Sequence, residues 1–198
     1  MTSYVKADTL MFAAVSPMDQ TRIVSIVIAF SLFNALAAQF AIHIGPVPIT
    51  GQTFAVTLTG ALLGSRLGAA ALIAYLIEGA AGLPFFAGGT SGLGVLLGPT
   101  GGYLVSFPAA AYITGAFSEY GWDRRFLTAV AAMTIGSALI LLAGWSWLMV
   151  VAQATPAAAF NIGVAPFLIG DVVKILLAAA VLPTGWALLK RKASGRKT

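Results

Sequence analysis

No acidic or basic charge occurs between Ile23 and Ser65, between Gly79 and Ser118, or between Phe126 and Gly170. Shorter uncharged runs extend from Leu67 to Ile77 and from Ile175 to Leu189. A water-facing surface needs charge, and soluble chains carry about 25% charged residues, against 9% here. Crossing the hydrocarbon core of a bilayer takes ~20 apolar residues, so the longer runs exceed the needs of one helix. With 59% hydrophobic residues and a mean hydropathy of +0.94, the chain is predicted to be an all-α integral membrane protein. Residues 1–198 read as a single transmembrane domain with no appended ATPase, so ATP-driven work is expected of another chain. The absence of cysteine excludes disulfides, thiolate nucleophiles and thiolate metal sites.

Proline and glycine clusters divide the long runs at Gly45-Pro46-Val47-Pro48, from Leu83-Pro84 to Gly101-Gly102, and at Gln153-Ala154-Thr155-Pro156. Six transmembrane helices result, at about 23–44, 52–64, 67–83, 101–118, 126–151 and 166–189. The basic residues set their direction. If the N-terminus is cytoplasmic, Lys6, Arg22, Arg66, Arg124, Arg125 and the tail Lys190, Arg191, Lys192, Arg196 and Lys197 all fall on the inner side. The net charge of +5 is thus a topology signal rather than a nucleic-acid footprint, and both termini are expected in the cytoplasm. The tail is also placed to meet anionic lipids. Residues 1–22 lack the pattern of a cleaved signal peptide, and the short apolar stretch Leu10 to Ser16 reads as an interfacial segment.

One basic residue does not fit that distribution. Lys174 lies three residues after Asp171 in the sixth segment, which puts the pair on one helix face where each can neutralise the other. Isolated charges at mid-membrane cost about 2.5–3.5 kcal/mol each on insertion scales, so the pair is either a structural stitch or a binding site. Side by side, an acceptor and a donor suit a polar ligand head with both N–H and C=O groups. Glu78 and His43, near helix ends, read more simply as interfacial hydrogen-bonding groups, and no histidine-based metal site can be assembled.

From Gly79 to Gly102 the sequence GAAGLPFFAGGTSGLGVLLGPTGG is glycine-rich and uncharged. It lacks the Gly-Lys-Ser/Thr of a phosphate loop. Its apolar residues, Phe85, Phe86, Leu93, Val95, Leu96 and Leu97, are costly to leave in water, so it is predicted to fold as a lid over a pocket mouth. The loop 45–53, stiff at its prolines, offers Thr50, Gln52 and Thr53 at the start of the next helix. It makes a second candidate lid, with Gln52 and backbone N–H groups toward a ligand or with Thr50 and Thr53 as helix caps.

Three stretches together resemble the BioY family, the biotin-binding S components of energy-coupling-factor (ECF) transporters. They are Gly45-Pro-Val-Pro-Ile-Thr-Gly-Gln52 with Ala61-Leu-Leu-Gly64, Gly82-Leu-Pro-Phe-Phe-Ala-Gly-Gly89 running to Leu97-Gly-Pro-Thr-Gly-Gly-Tyr103, and Gly170-Asp-Val-Val-Lys174. The resemblance covers about residues 35–180. It implies six helices in the bacterial cytoplasmic membrane and an outward-facing pocket under loops 45–53 and 84–100. It also implies that Asp171 and Lys174 meet the ureido ring of biotin, whose N–H groups suit a carboxylate and whose C=O suits an ammonium. Phe85, Phe86, Tyr103 and Trp145 or Trp147 are candidates for the aliphatic and thioether parts. No basic residue stands in the third loop to meet the biotin carboxylate, which leaves backbone N–H groups such as that of Gly89, or Thr90 and Ser91. The resemblance further implies docking on a transmembrane coupling protein with two ATPase subunits, for which Ala37 and Ala41 supply an Ala-x-x-x-Ala step on the first helix. Biotin is then cargo, and no cofactor is expected. The composition alone leaves open an ion-coupled secondary transporter, with Asp171 or Glu78 titrating. An enzyme is not expected, because no nucleophile–base pair or metal set can be assembled.

Overall fold

The computed structural model describes residues 9–15, 19–42 and 45–194, with side chains to Leu189. Lys6, His43 and the side chains of the basic tail lie outside the described residues. The chain is mostly helical: α1 (Leu10–Val15), α2 (Gln20–Gln39), α3 (Gln52–Leu63), α4 (Ser65–Ala80), α5 (Leu93–Leu97), α6 (Gly101–Glu119), α7 (Phe126–Val151), α8 (Pro156–Gly163) and α9 (Ala165–Ser194). Two short strands, β1 (Ala41–Ile42) and β2 (Ile49–Thr50), pair antiparallel.

Among the described residues, three helices, Gln20–Gln39, Phe126–Val151 and Ala165–Leu189, are long and apolar enough to cross a membrane. Their outward faces are greasy: Leu36 on α2 is 65% exposed and Ile169 on α9 83%, an arrangement suited to lipid and unsuited to water. α3 is different. Its 12 residues rise only ~18 Å, yet nine of them are buried. It runs inside the bundle, enclosed by α4 and α6, where small residues such as Ala55, Ala61, Ala110 and Ala111 let the backbones approach.

Local chemistry explains most boundaries. Asp19 caps α2 by accepting the Arg22 N–H at 2.8 Å. α3 and α4 share the hinge residue Gly64, whose φ of +84° is a conformation that glycine adopts without strain. The buried N-terminus of α4 is capped from a distance. The Glu119 carboxylate, at the end of α6, accepts the Ser65 N–H at 2.7 Å and the Ser65 hydroxyl at 2.9 Å, joining three helices at one end of the bundle. Nearby, Trp186 of α9 donates to the buried Asp123 at 2.6 Å, with the Arg124 guanidinium 4.8 Å above the indole. Burial pushes the Asp123 carboxyl above its ordinary range, opposed by the Trp186 hydrogen bond and the Arg124 charge.

Two sequence expectations change. The first long helix stops at Gln39 instead of running to residue 44, because Gly51 N–H bonds the carbonyls of Ala37 and Phe40 (3.2 Å each) and folds the following residues into the hairpin. Ala41 therefore sits in β1 opposite Thr50, and Ala37 with Ala41 does not form one helical stripe. Residues 156–163, expected as loop, form α8, started by Thr155 accepting from Ala158 N–H at 3.3 Å and by proline at the first helical turn.

Glu119→Ala should lower stability by about 1–2 kcal/mol through loss of the remote cap, read as a fall in melting temperature in detergent, and Glu119→Gln should recover part of the loss.

Candidate functional site

At the bundle end that carries the hairpin, a cavity of about 360 Å³ opens between the helices. That is within the usual range for small-molecule sites, ~300–1,000 Å³. Tyr103, Leu104 and Phe107 of α6, Ile140 and Leu141 of α7 and Phe167 of α9 form its walls. Pro46, Val47 and Pro48 of the hairpin and Phe86, Thr90 and Val95 of the segment between α4 and α6 close over it. Thr53 and Lys174 form its polar base.

That base is one knot of hydrogen bonds. Asp171 and Lys174 share a face of α9, with Nζ and Oδ1 3.4 Å apart. Thr53 of α3 sits between them, donating to Asp171 Oδ1 at 2.8 Å and accepting from Lys174 Nζ at 3.1 Å. Ser137 of α7 donates to the other carboxylate oxygen, Oδ2. Asp171 is 4% exposed, so its charge depends on these partners: an unpaired buried carboxylate is heavily penalised. Lys174, on the cavity side, presents the single formal charge among the lining residues.

The segment over the cavity is held by donors aimed at its backbone. Gln52 Nε2 donates to the Tyr75 hydroxyl at 2.7 Å, and that hydroxyl donates to the Phe85 carbonyl at 3.2 Å. Gln39 Nε2, at the end of α2, approaches the carbonyls of Pro84 and Phe86 at 3.4 Å each. Trp147 of α7 donates to the Gly98 carbonyl at 2.8 Å. Phe86 is fully buried, edge-on to Tyr75 at 5.7 Å and against Gly79. Tyr103 donates to the Gly163 carbonyl at 2.6 Å and stacks on Phe167 at 6.0 Å. A Cβ on Gly144 would fall on its ring, and one on Gly163 would meet a Leu148 methyl and the Tyr103 hydroxyl, so neither position accepts a side chain without a shift of these groups.

The residues singled out from sequence divide accordingly. Lys174, Gln52, Thr90, Tyr103 and Phe86 line the cavity, and Asp171 lies directly behind Lys174 and Thr53. Gly89 and Ser91 do not line it: Gly89 turns the chain at φ +77°, and Ser91 faces outward. Phe85 stacks on Tyr75 at 6.5 Å. Trp145 bonds the Pro156 carbonyl at 3.0 Å and Trp147 bonds the lid, so neither tryptophan is a wall. Glu78 accepts from Ser31 between α2 and α4. Among the described residues, no three His, Cys, Asp or Glu side chains gather as a metal site. Ser137, Tyr75 and Gln39 escaped sequence reading, since lone hydroxyls and amides in apolar helices carry no spacing signal. Chemically, the arrangement suits a neutral, double-faced polar head above the Asp–Lys pair and an apolar body above it.

A model described as the BioY family matches residues 8–191. The protein named probable biotin transporter BioY of Pyrococcus horikoshii is 40% identical over 159 residues, 80% of this chain and 92% of that one. The biotin transporter BioY of Thermotoga maritima is 35% identical over 152 residues, 77% of this chain and 88% of that one. The biotin transporter BioY of Rhodobacter capsulatus is 39% identical over 169 residues, 78% and 87% of the two chains. In fold, the chain resembles a crystal structure described as the S-component for biotin from an ECF-type ABC transporter, with a TM-score of 0.74, 23% identity, and 84% and 93% of the two chains covered.

Tyr75→Phe should leave the buried Gln52 amide without its acceptor, a cost of about 1–3 kcal/mol. Hydrogen–deuterium exchange should then quicken across residues 84–92 while α7 keeps its protection.

Proposed function

The chain belongs to the BioY family, and from that footing we propose that it captures biotin at the outer face of a bacterial cytoplasmic membrane, as the substrate-binding subunit of an ECF transporter. It is a multi-pass membrane protein, and its kinship is with transporters rather than enzymes. In this reading α2, α3, α4, α6, α7 and α9 make six crossings, and both termini lie in the cytoplasm. The charge placement supports it: Arg22 at the start of α2, Arg66 at the start of α4, and Arg124 and Arg125 before α7 all stand at helix ends away from the hairpin.

The observation that carries the reading is the Asp171–Lys174 pair at the base of a mainly apolar cavity in which Lys174 is the one charged lining residue. A ureido ring offers N–H donors to the carboxylate and a carbonyl to the ammonium, and bonds to charged partners are the stronger kind. The bicyclic ring and the aliphatic chain then run between Tyr103, Phe107, Ile140 and Phe167 toward the lid. The biotin carboxylate emerges at the mouth, where Thr90 receives it in place of a basic side chain. The hairpin and the segment between α4 and α6 close over the bound vitamin.

The glycine-rich segment between α4 and α6 lacks the Gly-Lys-Ser/Thr of a phosphate loop, and energy comes from a transmembrane coupling protein with two ATPase subunits. The broad apolar faces of α2 and α9 contact lipid or that partner.

Titration calorimetry of the detergent-purified chain should give saturable heat with biotin at micromolar concentration. Asp171→Asn and Lys174→Ala should each weaken binding more than tenfold, about 1.4 kcal/mol, with helical content unchanged. Full affinity in both variants would return the pair to a structural role.

A further inference from the structure

The Thr53 hydroxyl occupies an unusual place. It gives its proton to Asp171 Oδ1 at 2.8 Å and takes one from Lys174 Nζ at 3.1 Å. It also lines the cavity, whereas Asp171 and Ser137 do not. Donor to the carboxylate and acceptor from the ammonium is the pattern that a urea group presents to the same two residues. We propose that Thr53 is a built-in surrogate for the ligand's urea head: its hydroxyl satisfies the charged pair while the site is empty and is displaced when a cyclic urea enters.

Three features support this. First, the direct Lys174–Asp171 contact is long, at 3.4 Å, and the shared hydroxyl makes the shorter bonds to both, at 2.8 and 3.1 Å. Second, the two supports of the carboxylate are unequal. Ser137 holds Oδ2 from the protein side and is not in the ligand's way, while Thr53 holds Oδ1 from the cavity side. Third, Thr53 stands at the beginning of α3, and a threonine hydroxyl leaves its position by a single χ1 rotation between two allowed wells. Filling the site thus exchanges one neutral hydroxyl for a ligand N–H and a ligand C=O without leaving either charge unpaired. The surrogate lowers the free energy of the empty state and so moderates affinity, a useful property in a subunit that must release its cargo.

The proposal rests on the biotin reading, and one set of titrations separates the two. Thr53→Val keeps the shape and removes the hydroxyl. In the absence of ligand, it should melt at a lower temperature than the parent chain, because Asp171 and Lys174 lose their shared partner. It should nevertheless bind biotin about three- to tenfold more tightly, while Thr53→Ser should keep the parent affinity. A residue with a structural role alone would lower stability without tightening binding. If the parent chain binds biotin and Thr53→Val binds it equally or more weakly, the surrogate role is overturned and the biotin reading stands. If neither chain binds biotin, both fall.

Discussion

The buried carboxylate of Asp171 is the group on which the rest of this molecule depends. A charge in that position has to be met from several directions, and it is met from three helices: Thr53 on α3, Ser137 on α7 and Lys174 on its own α9. Those partners fix how the three helices stand at the base of the cavity, since a misplaced helix leaves the carboxylate unpaired in a low-dielectric interior. The same requirement explains why a cavity can persist there. Apolar helices free to pack against each other close such gaps, whereas these are held apart by a polar cluster that has to stay satisfied.

Above that base, the lid obeys a different physics. Its side chains are mostly glycine and apolar residues, which offer neither charge nor strong directional contacts. Its position is instead dictated by long polar side chains from the bundle that reach its backbone carbonyls: Tyr75 to Phe85, Gln39 to Pro84 and Phe86, and Trp147 to Gly98. Gln39 closes α2, the helix with a broad apolar outer face, so the lid is tied to a lipid-exposed element as well as to the interior. Gln52 serves both regions, beginning α3 beside Thr53 while bonding the Tyr75 hydroxyl.

Much of this was legible in the chain because charges are rare. Asp171 and Lys174 stood out against an uncharged background, and their spacing alone placed them on one face. The break points of the helices followed from proline and glycine. What stayed hidden depends on groups that are ordinary in sequence. Ser137 and Tyr75 become important only when folding brings them to Asp171 and Gln52, at separations of 34 and 23 residues. The first helix was expected to run on to residue 44, and the four-residue spacing of Ala37 and Ala41 looked like a stripe on it. Both readings fail because the carbonyls of Ala37 and Phe40 bond Gly51, a partner beyond the reach of helical periodicity.

The ring of Tyr103 has a consequence of another kind. It lies against bare backbone at Gly144, and its hydroxyl lies against Gly163, two positions that are not part of the cavity lining. The width available to a guest is therefore governed from behind the wall. A single methyl group at Gly144 would force the ring to shift, although that glycine does not line the chamber. The wall and the polar base thus depend on different residues, so that the room in the chamber and the chemistry at its base are separable properties.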